Sequence, residues 1–211
     1  MKRQKPSFNE EKALRKQGYQ FIAGIDEVGR GALMGPVMAA AVILPDNIKG
    51  PWKTRVRDSK QLTPKDRDYL FGFICEAAVS YGIGFSSNEE IDSMGIAKAT
   101  RIAMVKAIRQ LNPTPHFLII DWVKLKESYL PQKSIVHGDA LCFSIACASI
   151  IAKVTRDRLV TEMDKDYPGY NFSDHKGYGT EEHLACLKAK GPCALHRRSF
   201  RPVSEMTGWQ L

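Results

Sequence analysis

No uninterrupted apolar run in this sequence approaches the ~20 residues that a membrane-spanning helix needs. The first stretch, Met1 to Gly18, is charged and has no apolar core of the kind a secretory leader carries. Cysteine is sparse and poorly spaced for structural use. Cys75, Cys142, Cys147, Cys186 and Cys193 are odd in number and no two stand at CxxC spacing, so neither a zinc site nor a disulfide framework is indicated. There is no internal repeat and no low-complexity tract. These absences leave a soluble, cytoplasmic globular protein as the expectation.

What is present is a chain of 211 residues, 44% hydrophobic and 26% charged, enough for one domain with a substantial core. Lys and Arg number 31 against 23 Asp and Glu, a formal net charge of +8. A surplus of that size favours a polyanionic partner without proving one.

Apolar runs bounded by glycine predict strands over residues 20–26 and 36–44, joined by a glycine turn. Thr63-Pro64 is a helix start, with Thr63 as N-cap and Leu70, Phe73, Ile74 and Ala77 at helical spacing. Tyr81 to Ser86 reads as a strand, and Ser87 to Glu90 has the form of a capping box. A helix from Ile96 to about Leu111 ends before Pro113 and Pro115. His116 to Asp121 is a short buried strand, and Lys133 to His137 is a candidate fifth. Gly138-Asp139 opens a long apolar helix, roughly Cys142 to Met163, stopped by Tyr167-Pro168-Gly169. A last helix spans Thr180 to Lys190 before a basic tail at His196-Arg197-Arg198. Strands followed by alternating helices and strands predict an α/β layer with a mixed sheet.

Carboxylates recur at the ends of apolar elements: Asp26 with Glu27, then Asp121, then Asp139. Taken singly, each reads as a charged turn or a helix cap. Sheets of this class gather such termini at one edge, where ligands bind. Four carboxylates there carry about −4, which two divalent cations balance; oxygen-only donors suit Mg²⁺ or Mn²⁺ over zinc. A pair of such ions serves phosphodiester cleavage. Neighbours in a regular strand point to opposite faces, so Asp26 and Glu27 are expected to share a site only if the strand breaks at them. A dinucleotide-binding loop is disfavoured, because Gly29, Gly31 and Gly35 give GxGxxxG and a strand follows. A purely binding module would explain the charge but not the acids. Ser59, Lys60, Lys153 and Lys176 are candidate phosphate contacts, each individually readable as a solvated side chain. Ser149, Lys153 and Asp157 form a polar stripe on the long helix, and Tyr178 offers a ring for stacking on a sugar or base.

These motifs together resemble the bacterial ribonuclease HII family, the type 2 ribonucleases H. The matching stretches are Gly24-Ile25-Asp26-Glu27-Val28-Gly29-Arg30-Gly31 with Gly35-Pro36-Val37, Asp58-Ser59-Lys60-Gln61-Leu62, Ile119-Ile120-Asp121 and Gly138-Asp139. Ser149 to Asp157, His175-Lys176-Gly177-Tyr178 and His196 to Phe200 complete them in family order. The resemblance implies a ribonuclease H-like mixed β-sheet flanked by helices, with a small C-terminal helical extension. It divides the chain into a lead-in (1–18), a catalytic domain (19–166) and an extension carrying Tyr178 (167–211). It implies cleavage of the RNA strand of RNA–DNA hybrids and incision 5′ to single ribonucleotides in duplex DNA, leaving 3′-hydroxyl and 5′-phosphate ends. The associated tasks are ribonucleotide excision repair and RNA primer removal, by a monomer that uses Mn²⁺ or Mg²⁺. Asp26, Glu27, Asp121 and Asp139 are implied as the metal-binding catalytic carboxylates. Gly29, Arg30 and Gly31 are implied readers of the ribose 2′-hydroxyl, Tyr178 a contact to the following deoxyribose, and Lys60 a phosphate contact. The sequence departs from the family pattern at Trp122, where glycine is usual, at Gly179, where proline is common, at His137, which is lysine in some members, and at Cys147, which is alanine. None of these removes a carboxylate.

Overall fold

The computed structural model describes residues 5–206. Helix α1 (Asn9–Lys16) leads into strands β1 (Ile22–Val28) and β2 (Val37–Ile43). Two short 3-10 turns precede α2 (Pro64–Ala77), β3 (Ser80–Ser86), α3 (Asn88–Met94) and α4 (Ile96–Ile108). Then come β4 (Phe117–Asp121), β5 (Gln132–Ile135), α5 (Gly138–Leu141), α6 (Phe143–Asp166), α7 (Phe172–His175) and α8 (Glu181–Lys190). The expected caps are present: the Thr63 side chain accepts from Asp66 N–H, and Ser87 and Glu90 close a full capping box.

The strands form one mixed sheet in the order β3-β2-β1-β4-β5. β1, β2 and β3 pair antiparallel, whereas β1–β4 and β4–β5 are parallel. Alternation along β1 and β2 sorts the core. Ala23, Ile25, Ala39, Ala41 and Ile43 pack with α4 residues such as Ala103 and Met104. Ala40 and Val42 face the other way, with Ala146, Ala148 and Ala152 of α6. The small helix residues bring α6 close to the sheet. A Cβ on Gly24 would lie 2.3 Å from the Ser144 backbone, so α6 can cross β1 only over a glycine.

The long helix differs from expectation. Cys142 is extended (φ −109°, ψ 130°) and splits it into the single turn α5 and the 24-residue α6. The N-terminal segment enters at that break. Ser7 N–H donates to Leu141 O at 2.9 Å, Phe143 N–H donates to Ser7 O at 3.0 Å, and Phe8 stacks on Phe143. Glu11 then caps α6, its Oε1 accepting from Ser144 N–H and Oγ–H. Residues 5–18 are thereby tied into the core. Among the described residues no helix is long and apolar enough to cross a membrane, and all five cysteines are free thiols.

Candidate active site

Strand β1 does not break at its acidic pair, which corrects the expectation that it must. Asp26 pairs with Ala40, Glu27 with Ala39 and Val28 with Met38 in regular register. The two acids do point apart: Asp26 falls on the α6 face and Glu27 on the opposite one. They nonetheless line one cleft of about 670 Å³, because β4 stops pairing with β1 at Ile25–Ile120 and leaves this end of the sheet open. Strand termination, not a kink, lets both faces reach the same space.

Asp26, Asp121 and Asp139 come from β1, β4 and α5, and each offers an oxygen within 4.8 Å of the others. Asp121 is set by its Oδ1, which accepts from Gly138 N–H at 2.7 Å. That bond also draws the turn carrying Asp139 to the end of β4. Glu27 stands beside this group without entering it. Its Oε1 accepts from Trp122 Nε1–H at 3.2 Å and from Arg30 at 3.4 Å, while Oε2 is buried with no partner.

Burial pushes the carboxyls of Asp26 and Glu27 up, Asp26 furthest, with Glu27 and Asp121 adding repulsion at Asp26. A hydrogen bond from Ser149 acts in the opposite direction on Asp26. Asp121 and Asp139 are also raised, by burial first and then by neighbouring acids, Asp139 for one and Asp58 for the other. Burial acts to lower the Lys60 ammonium, but Asp139 and the other acids outweigh it and hold the group above its ordinary value. Three like charges gathered together, with an unpartnered buried oxygen of Glu27 beside them, fit a hard divalent cation. Oxygen donors alone make Mg²⁺ or Mn²⁺ the suitable ions.

The remaining predicted residues divide. Gly29, Arg30, Ser59, Lys60, Ser149, Lys153 and Tyr178 line the cleft with Asp26, Glu27 and Asp121. Ser59 and Ser149 are hydrogen-bonded at 2.9 Å, Lys60 lies 3.7 Å from Asp139, and Lys153 pairs with Asp157 at 2.7 Å. Two residues of the polar stripe on α6, Ser149 and Lys153, therefore line the site, while Asp157 borders the groove beside it. Lys176 is not brought there. Its ammonium donates to Thr161 Oγ1 and it borders an adjoining groove that shares Lys153 and Tyr178 with the cleft. Gly31 sits on the loop beside the cleft, with nothing within 4 Å of where its Cβ would be.

Two residues that shape this loop escaped sequence reading. Arg156 and Arg197 are wholly buried. Arg197 donates to the carbonyls of Gly29, Arg30 and Gly35, and Arg156 to those of Met34, Pro36 and Lys176. Bridges from Ala32 to Tyr178 and from Met34 to His196 fasten the same loop to the C-terminal segment. Gly29 is at φ +87°, and a Cβ there would lie 2.2 Å from Arg156 Nε. Its glycine is thus required by the arginine beneath it. A fully buried arginine is invisible from composition, where it counts only toward the basic surplus.

An oxygen-donor cluster at the open end of an α/β sheet, bordered by Arg30, Lys60 and Lys153, is the arrangement that a metal-dependent phosphodiester hydrolase requires. A family model described as Ribonuclease HII matches residues 23–203. A ribonuclease HII of Dehalococcoides mccartyi is 57% identical over 201 residues, covering 95% of both chains. Among solved structures, ribonuclease H2 of Pyrococcus horikoshii OT3 superposes with a TM-score of 0.74 at 25% identity, covering 88% of this chain and 96% of its own. Bst-RNase HIII in complex with Mn²⁺ shares the fold, with a TM-score of 0.65 at 19% identity over 92% of this chain and 71% of its own. The chain belongs to the ribonuclease HII family. It is accordingly a metal-dependent ribonuclease H, an endoribonuclease of RNA–DNA hybrids.

Proposed function

We propose that this ribonuclease H also incises duplex DNA 5′ to a single embedded ribonucleotide, using two divalent ions and leaving 3′-hydroxyl and 5′-phosphate ends. The observation carrying this reading is the three-carboxylate group opening into a cleft edged by the Gly29-Arg30-Gly31 loop and Tyr178. Mn²⁺ or Mg²⁺ bound there would supply an activated water and stabilise the leaving oxygen. Asp26, Asp121 and Asp139 would hold the ions, with Glu27 contributing its free Oε2. Arg30, Lys60 and Lys153 take phosphates of the hybrid. Ser149 steadies Asp26, and its bond to Ser59 joins the phosphate-contacting turn to α6. Gly31, open above its Cα, lets the backbone approach the ribose 2′-hydroxyl, the group that separates RNA from DNA. Tyr178 packs on the deoxyribose that follows, and Lys176 serves the substrate beyond it, along the adjoining groove. Residues 19–166 form the catalytic part, and the extension from 167 delivers Tyr178. The proposed action is that of a monomer in the cytoplasm, whose reducing environment fits five cysteines that are odd in number and never at CxxC spacing. The same specificity would serve ribonucleotide excision and RNA primer removal.

A labelled duplex bearing one ribonucleotide, incubated with Mn²⁺ or with EDTA, tests this. One cut 5′ to the ribonucleotide with metal and none with EDTA is expected. Cutting of an all-DNA control, or of hybrid alone, would overturn it.

A further inference from the structure

Trp122 is a bulky residue in a backbone conformation that bulky residues avoid. Its φ is +42°, and Asp121 O accepts from Val123 N–H at 2.5 Å, closing a three-residue turn with Trp122 at its centre. The side chain is 46% exposed, on the wall of the cleft rather than in the core. Strain of this kind persists where the surroundings fix it and concentrates at functional sites.

The ring makes two specific contacts. Its Nε1–H donates to Glu27 Oε1 at 3.2 Å, and its face carries the Arg30 guanidinium at 4.2 Å from the centroid. Arg30 closes the triangle by reaching the same Glu27 oxygen at 3.4 Å. Both donors fall on Oε1, which leaves the buried Oε2 as the only atom of Glu27 still able to take a ligand. One side chain therefore fixes the carboxylate and supports the arginine.

We propose that Trp122 is a positioning residue that presents Glu27 Oε2 to a divalent ion and holds Arg30 for the nucleic acid. The inference rests on the reading that Asp26, Glu27, Asp121 and Asp139 bind such ions. Partners that orient a ligating group typically hold about 10–100-fold in metal affinity. A stacked guanidinium contributes a few-fold to about 30-fold when desolvated.

Two variants separate the contacts. Trp122→Phe keeps a ring for Arg30 and deletes the N–H to Glu27; Trp122→Leu deletes both. Mn²⁺ affinity is measured calorimetrically without nucleic acid, and hybrid affinity by fluorescence anisotropy in EDTA. Trp122→Phe should bind Mn²⁺ about 10-fold more weakly and hybrid within about 2-fold of the parent. Trp122→Leu should match it for Mn²⁺ and lose a further few-fold for hybrid. Equal or tighter Mn²⁺ binding by Trp122→Phe, or parental hybrid binding by Trp122→Leu, overturns the proposal. If the parent binds Mn²⁺ and cuts no ribonucleotide-containing duplex while Trp122→Phe still loses Mn²⁺ affinity, the functional reading fails and the positioning stands. Parental Mn²⁺ affinity and parental cleavage in Trp122→Phe would remove the positioning and leave the function.

Discussion

At the open end of the sheet, Asp26, Asp121 and Asp139 bring oxygens within 4.8 Å, and Glu27 keeps Oε2 buried without a partner. Where the C-terminal segment packs on the loop that follows β1, Arg156 and Arg197 are buried completely. There the Nε, Nη1 and Nη2 of each guanidinium donate to carbonyls at 2.7–3.1 Å. The acids repel one another and are pushed up, whereas the arginines knit three loop segments together. A buried polar group with all its partners is architecture, and a cluster missing them is waiting for a ligand. Glu11 Oε2 is also unpartnered, but Glu27 stands beside Asp26 and Asp121, which repel it, whereas the other oxygen of Glu11 caps α6. The missing partner marks a site only when several acids share it.

The largest effect is expected from Asp121→Asn. Asparagine keeps the Oδ1 that accepts from Gly138 and removes one charge from a repelling group, so the fold should be unharmed. Cleavage should fall by more than the ~10–100-fold that losing a mere supporting partner costs. Hybrid affinity in EDTA should hold or rise. A variant that melts early, or one that still cuts, would erase the distinction between ligand site and architecture.

Arg197→Met should do the reverse. It strands the carbonyls of Gly29, Arg30 and Gly35 in a dry interior, at roughly 3 kcal/mol or more in total. For a chain of this size that lowers Tm by about 6–12 °C. A Tm within 2 °C of the parent would show that water replaces the guanidinium and that this cluster is not structural.

The two regions should also oppose each other in pH. His183 and His196 face one another at 3.1 Å, and burial, with repulsion from neighbouring histidines, pushes each down to about 4. Between about 6.5 and 4 the unfolded chain binds more protons than the folded one, so stability falls as pH falls. By pH 5 the loss is roughly 1–2 kcal/mol per histidine. The raised carboxyls act with the other sign: above the ordinary value near 4, the folded state holds the extra protons, and stability falls as pH rises. In EDTA the two trends act in opposite directions, and Asp26→Asn removes one contributor to the second. Melts between pH 7 and 5 should therefore drop more steeply for Asp26→Asn than for the parent. Parallel curves would mean the acids do not share protons as their burial requires.

The contrast also explains what could be read beforehand. The caps at Thr63 and Ser87 are local patterns and stand where their spacing placed them, and Asp26, Asp121 and Asp139 come together as strand-end acids were expected to. Arg197 read as part of a basic tail, because nothing local to His196-Arg197-Arg198 shows that a loop more than 160 residues earlier needs its carbonyls covered. Cys142 read as helix for the same reason: the break is made by Ser7, which binds on either side of it. The acidic pair was legible as chemistry but not as geometry, since where β4 stops pairing is a property of the sheet.

The smallest structural effect should come from the glycine that the fold does not need. Gly29 and Gly31 flank Arg30 and look equivalent in sequence, yet only Gly29 lies at positive φ against Arg156. Gly29→Ala must displace a guanidinium holding three carbonyls and should destabilise by several times the usual ~1 kcal/mol of a point change. Gly31→Ala meets nothing within 4 Å and should stay within about 0.5 kcal/mol of the parent. A methyl there would nonetheless stand between the backbone and an approaching sugar. KM for a duplex with one ribonucleotide should therefore rise several-fold in Gly31→Ala while Tm holds. Unchanged KM would move the ribose contact off this residue, and a fallen Tm would make Gly31 part of the architecture after all.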